Sequence, residues 1–154
     1  MNAAHIHLLF NHFPVIGALF GLAFFVVALI KRNELLIKAS LWIFLAVAVL
    51  AVPTYLSGDP AHEFIEKIPG LRHDIVEAHA ALADKAFIAI MVLGALSLVG
   101  LIAYGRKKRL WRWYLPAMVL VSIIVMGLMA VTANKGGEIR HPEITLQKAP
   151  DVEP

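Results

Sequence analysis

The sequence predicts an all-α integral membrane protein, a four-helix bundle with N-terminus and C-terminus outside, and three observations carry that prediction. Apolar residues make up 60% of the 154 and charged residues only 16%, whereas a soluble domain has about 25% charged and under half apolar. Four apolar stretches, 8–30, 36–56, 86–104 and 113–132, each approach the roughly 20 residues needed to cross about 30 Å of hydrocarbon. The polar segments between them differ sharply in charge. The short connections after the first and third stretches carry Lys31, Arg32, Lys38, Arg106, Lys107, Lys108, Arg109 and Arg112 against the single acid Glu34. By the positive-inside rule these connections are cytoplasmic, which sends both termini and the 57–84 loop outside.

Each span ends in readable punctuation: KRNE, SGDP, GRKKR and NKGGE. The cluster Trp111, Trp113 and Tyr114 opens the fourth span as an interfacial aromatic belt. Pro14 sits in the first turn of span one, where its missing N–H costs little. Pro53, near the outer end of span two, frees a carbonyl and permits a kink. Gly17 and Gly21 form a GxxxG seam for close approach of a neighbouring helix. No basic, cleavable leader precedes span one, so that span is expected to remain. Residues 1–142 form the transmembrane domain in this reading, and 143–154, with Pro150 and Pro154, a flexible outer tail. The formal charge of +3 follows from topology and carries no nucleic-acid signal.

Under this orientation all seven histidines, His5, His7, His12, His62, His73, His79 and His141, gather at the outer end with ten of the eleven acids. Outer loops that avoid Lys and Arg need other polar residues, so a loop histidine by itself requires no site. His12 differs because it follows Leu8, Leu9 and Phe10 inside the apolar run, where an ionisable group is costly and usually functional. His79 differs because a helix beginning near Asp74 puts Ala83, Ala86, Ile90 and Ser97 on its face, a small apolar surface that suits a flat macrocycle and close helix packing equally. His73, Glu77 and Asp84 share another face, and His73 and Glu77 stand at metal-ligand spacing.

Absent residues exclude several chemistries. Without cysteine there is no covalent haem attachment, cysteinyl iron–sulfur cluster or blue-copper thiolate. Phosphate-cradling loops and HExxH are missing, since the motif begun by His62 and Glu63 has Glu66 where the second histidine belongs.

HIHLLFNHFPVIGALFG, TYLSGD, EAHAALADKAF and NKGGEIRHPE together resemble a family of small four-helix bacterial membrane proteins catalogued as a domain of unknown function. The matching positions are His5, His7, His12, Phe13, Pro14, Gly58, Asp59, His79, Gly136, Gly137, Glu138, Arg140 and His141, and they span nearly the whole chain. The chain departs from the family pattern at Ile6, where proline often follows the first histidine, and at Pro142, where glycine often follows the last. Family members fused to Rieske or cytochrome c domains imply electron transfer outside the bacterial cytoplasmic (inner) membrane and a b-type haem. The partners this implies are the bilayer, a periplasmic cytochrome or Rieske-type protein, and a quinone.

Three functional expectations follow. The first is a redox carrier, with haem b ligated by His12 and His79 and with His7 and His141 beside it. Counted from Lys31 and Arg106, however, His12 and His79 differ in depth by roughly 12 Å at 1.5 Å per residue. The second is an outer site for a bare zinc, copper or iron ion drawn from His12, His79, His62, Glu63, His73, Glu77 and Asp59. The third is a non-catalytic subunit anchoring a larger respiratory complex. A carrier or subunit is expected ahead of a stand-alone enzyme.

Overall fold

The computed structural model describes residues 3–65, 72–106 and 112–140. They form α1 (Ala3–Phe10), α2 (His12–Ile30), α3 (Glu34–Leu56), α4 (Gly58–Ile65), α5 (His73–Gly105) and α6 (Tyr114–Arg140). No strand occurs among the described residues. Four helical segments are long and apolar enough to cross a membrane: His5–Ile30, Glu34–Glu63, His73–Gly105 and Tyr114–Ile139. The first runs through a local break at Asn11 between α1 and α2, and the second through a turn at Ser57 between α3 and α4.

Around the bundle α2 packs on α3, α3 on α5, α5 on α6, and α6 returns to α2. Consecutive spans are therefore neighbours, and the first and third spans lie diagonally opposite. Pro14, Ala18, Gly21, Phe25 and Ala28 are the buried positions of α2. Their alternating spacing of three and four is that of a helix seam facing a bundle core. Phe25, Leu41, Phe44, Ile90, Leu93, Met118 and Val125 fill the core completely. Phe25 meets Phe44 edge-on, with ring centroids 5.9 Å apart, a favoured geometry for the aromatic quadrupole. Large apolar side chains such as Phe20, Trp42, Ile88 and Leu120 point outward. Helices apolar on both inner and outer faces belong in lipid.

The GxxxG seam forms as expected. A Cβ at Gly17 would strike the Val47 side chain, and one at Gly21 would stand 2.6 Å from Phe44 Cε1, so these glycines let α2 and α3 approach. Small residues repeat the device elsewhere, with Gly94 against Ala48 and Gly100 against Tyr114 and Leu41. At the cationic end α2 closes tightly: Arg32 N–H donates to Leu29 O at 3.2 Å and Asn33 N–H to Ala28 O at 3.0 Å, a Schellman pattern. Arg32 occupies the left-handed position with φ 49°. Asn33 then caps α3, its side chain accepting from Leu36 N–H at 3.2 Å.

The helices exceed the spans expected from hydropathy at one end of the bundle. Within the outer connection 57–84, residues 58–65 form α4 and 73–84 the opening turns of α5, and α6 continues two turns past 132. The third-span helix begins at His73, one residue from the Asp74 start expected. These added turns build the end that carries the described histidines.

Candidate functional site

His7 lies one turn beyond Asn11, and both continue the inward seam of α2 at the same alternating spacing. The His7 ring is half-buried. Its Nδ1 lies 3.1 Å from Thr54 O and 3.2 Å from Ser57 Oγ. A carbonyl can only accept, so the ring nitrogen facing it is the donor, and the neutral ring keeps its lone pair on Nε2. The acceptor is free because α3 ends at Leu56. Ser57 Oγ–H donates to the same Thr54 carbonyl at 2.9 Å, and Thr54 Oγ1–H reaches both Leu50 O at 3.0 Å and Phe10 O at 3.2 Å. The last of these ties the helix break at Asn11 to the end of α3. Gly58 closes the seat, its would-be Cβ 3.9 Å from His7 Cε1.

His79 repeats this arrangement in the second half of the chain. Its half-buried ring donates from Nδ1 to Thr132 O at 2.9 Å, again leaving Nε2 as the acceptor. Gly136 forms the floor: a Cβ there would stand 3.1 Å from His79 Cε1. In each half, then, a histidine near the start of one span docks on the carbonyl of a threonine near the end of the next, beside a glycine four residues on. Because those spans are diagonal in the bundle, the two imidazoles come from opposite corners of the same end. Depth agrees as well. His7 stands about 24 residues from Lys31 and His79 about 27 from Arg106, a difference of roughly 5 Å at 1.5 Å per residue.

Two further polar groups belong to this end. Asn11 Oδ1 is buried without a hydrogen-bond partner, a state that costs about 1–3 kcal/mol unless a water or ligand donates to it. Glu138, 6% exposed, is paired with Lys135 Nζ at 2.7 Å. At the surface, Arg72 donates to Asp74 at 2.6 Å, and that carboxylate holds the guanidinium above its ordinary range.

The structure places the expected ligand His12 differently from His7 and His79. Its ring is exposed, and Nδ1 turns back to Leu8 O of the same chain segment at 3.3 Å. Depth in an apolar run selected it, but helical phase points it away from the seam. His5, His73, Glu63, Glu77 and Asp59 are exposed, and His62 is half-buried. Among the described residues no three His, Cys, Asp or Glu side chains are grouped so as to hold a metal ion, so the bare-ion set drawn from His12, His79, His62, Glu63, His73 and Glu77 is not assembled there. His141 lies outside the described residues. What sequence reasoning missed was the pair of threonine carbonyls. Their signal was the recurrence of Thr and Gly four apart, Thr54 with Gly58 and Thr132 with Gly136, at the ends of spans two and four.

Comparisons with family models, curated proteins and solved structures found no match to this chain.

Proposed function

We propose that the chain is a membrane-embedded electron-transfer protein of the bacterial cytoplasmic membrane, that His7 and His79 are the residues that would hold a haem b, and that the histidine end faces the periplasm. The observation that carries the reading is the repeated seat: two imidazoles from diagonal spans, each donating from Nδ1 to a backbone carbonyl and each keeping Nε2 for a ligand. Histidine ligands are commonly oriented and made more basic by such a bond. The donor set fits haem better than a bare ion. A macrocycle provides four nitrogens and asks the protein for two, whereas structural zinc takes four ligands and catalytic zinc three from protein.

Bound haem would supply one-electron chemistry. The protein's share is positional and electrostatic. Thr54 and Thr132 carbonyls fix the ring planes, Gly58 and Gly136 leave room for them, and the apolar seam beneath excludes water, a condition that tunes potential. The placement of cations at the opposite end supports the outward orientation. An external cytochrome or Rieske-type protein and a membrane quinone are the electron partners in this reading.

The test is an absorption spectrum of protein produced with ample haem and purified in mild detergent. Wild type should show a Soret band and a low-spin reduced spectrum; His7→Ala and His79→Ala should each lose the bis-imidazole signature, and His12→Ala should keep it. A colourless wild type, or loss of the signature on replacing His12 alone, would overturn the assignment.

A further inference from the structure

Between α3 and α5 an apolar groove of about 430 Å³ opens on the outer surface of the bundle, lined by residues that include Ala48, Val49, Pro53, Met91, Gly94 and Ala95. Small side chains create it, and Val49, 62% exposed, forms part of its open edge. Nearer the histidine end, the same two helices present a polar pair. Tyr55 of α3 donates its hydroxyl to Asp84 Oδ1 of α5 at 2.9 Å, while its ring stacks on Phe87 at 4.1 Å and 8°. Because the phenol proton is committed to Asp84, the pair offers a visitor only acceptors and negative charge. Lys85, the next residue, is exposed and forms no ion pair with a described residue. Asp84 lies about 22 residues from Arg106, roughly 33 Å at 1.5 Å each, which matches the far edge of a hydrocarbon core about 30 Å thick.

We propose that the groove and the Tyr55–Asp84 pair together bind one phospholipid with a zwitterionic amine headgroup, an acyl chain lying in the groove, the ammonium on Asp84 and the phosphate toward Lys85. The groove by itself accepts any acyl chain; selection comes from the head. An ammonium brings both the N–H donors and the positive charge that the acceptor-only pair lacks, and the adjacent acid and base match the order of charges on such a headgroup. An anionic glycerol headgroup brings hydroxyl donors but no positive charge, and its net negative charge is repelled by Asp84.

Native mass spectrometry of the full chain, after exchange into detergent containing equimolar phosphatidylethanolamine and phosphatidylglycerol with identical chains, tests this. Wild type should retain the ethanolamine lipid about five- to tenfold over the glycerol lipid, the scale of one charge-assisted hydrogen bond at a half-solvated site. Asp84→Asn should remove the preference. Ala95→Phe, which fills the groove from an exposed position, should lower retention of both lipids while the helical circular dichroism is unchanged. Tyr55→Phe leaves the carboxylate in place and should keep part of the preference. Equal retention by wild type, a preference that survives Asp84→Asn, or an isoprenoid quinone co-purifying in place of the phospholipid would overturn the proposal.

Discussion

Alanine at Gly136 and, separately, at Gly137 probes whether the seat of His79 is a shaped contact. Both glycines lie in the last turns of α6, so each substitution recovers about 0.5–1 kcal/mol of the entropic penalty of a helical glycine. They differ in what the new methyl meets. At 136 it stands 3.1 Å from His79 Cε1 and 3.4 Å from Nδ1; at 137 nothing lies within 4 Å. Comfortable carbon contacts are about 3.5–4.0 Å, so at 136 the ring must yield by a few tenths of an ångström. Its Nδ1 is held at 2.9 Å from Thr132 O. If the ring retreats, a hydrogen bond worth about 0.5–1.5 kcal/mol is strained; if it stays, overpacking costs about 1–3 kcal/mol. Gly137→Ala should therefore be neutral or stabilising by up to about 1 kcal/mol, and Gly136→Ala should fall about 1–3 kcal/mol below it. Unfolding in mixed micelles, followed by circular dichroism without added haem, reads the difference independently of any cofactor. Equal stability of the two variants would refute the contact between His79 and Gly136.

Gly21→Leu should destabilise the bundle by about 1–3 kcal/mol, since even a methyl there stands 2.6 Å from Phe44 Cε1, while Gly105→Ala, with nothing within 4 Å, serves as the control; equal midpoints would show the α2–α3 seam to be misassigned. Tyr114→Phe removes a hydroxyl that donates to Leu96 O at 2.8 Å and should cost about 1 kcal/mol, so an unchanged unfolding midpoint would count against that bond. For orientation, cysteine at Asn33 should resist an impermeant maleimide in intact cells and cysteine at His73 should react, and the reverse pattern would invert the assignment of the two ends.

Hydropathy was sufficient for the four spans, and glycine spacing for a close-packing seam on the first, because these report directly on transfer into lipid and on how closely backbones can approach. The face of His79 was also legible: Ala86, Ile90 and Ser97, expected beneath it, are buried in α5. Hydropathy falls silent at the interface, however, where polar residues are equally at home in loops and in helices. That is why α4 and the last turns of α6 were not visible until their packing was known. The preference for His12 over His7 has a related cause. The first span is apolar on every side, so its pattern does not reveal which side faces inward, and depth along the chain became a substitute for phase. Only the burial of Pro14, Ala18, Gly21, Phe25 and Ala28 sets the phase that carries the seam back through Asn11 to His7. The threonine carbonyls that hold the two imidazoles are backbone acceptors, Thr54 at the end of α3 and Thr132 within α6, and the Thr–Gly spacing beside them acquires a meaning only once a ring is seen to dock there. Sequence by itself determined a four-span membrane bundle with its described histidines at one end, because partitioning into lipid is a property of composition along the chain; tertiary structure decided which of those imidazoles face inward, because that depends on the rotation of each helix against its neighbours.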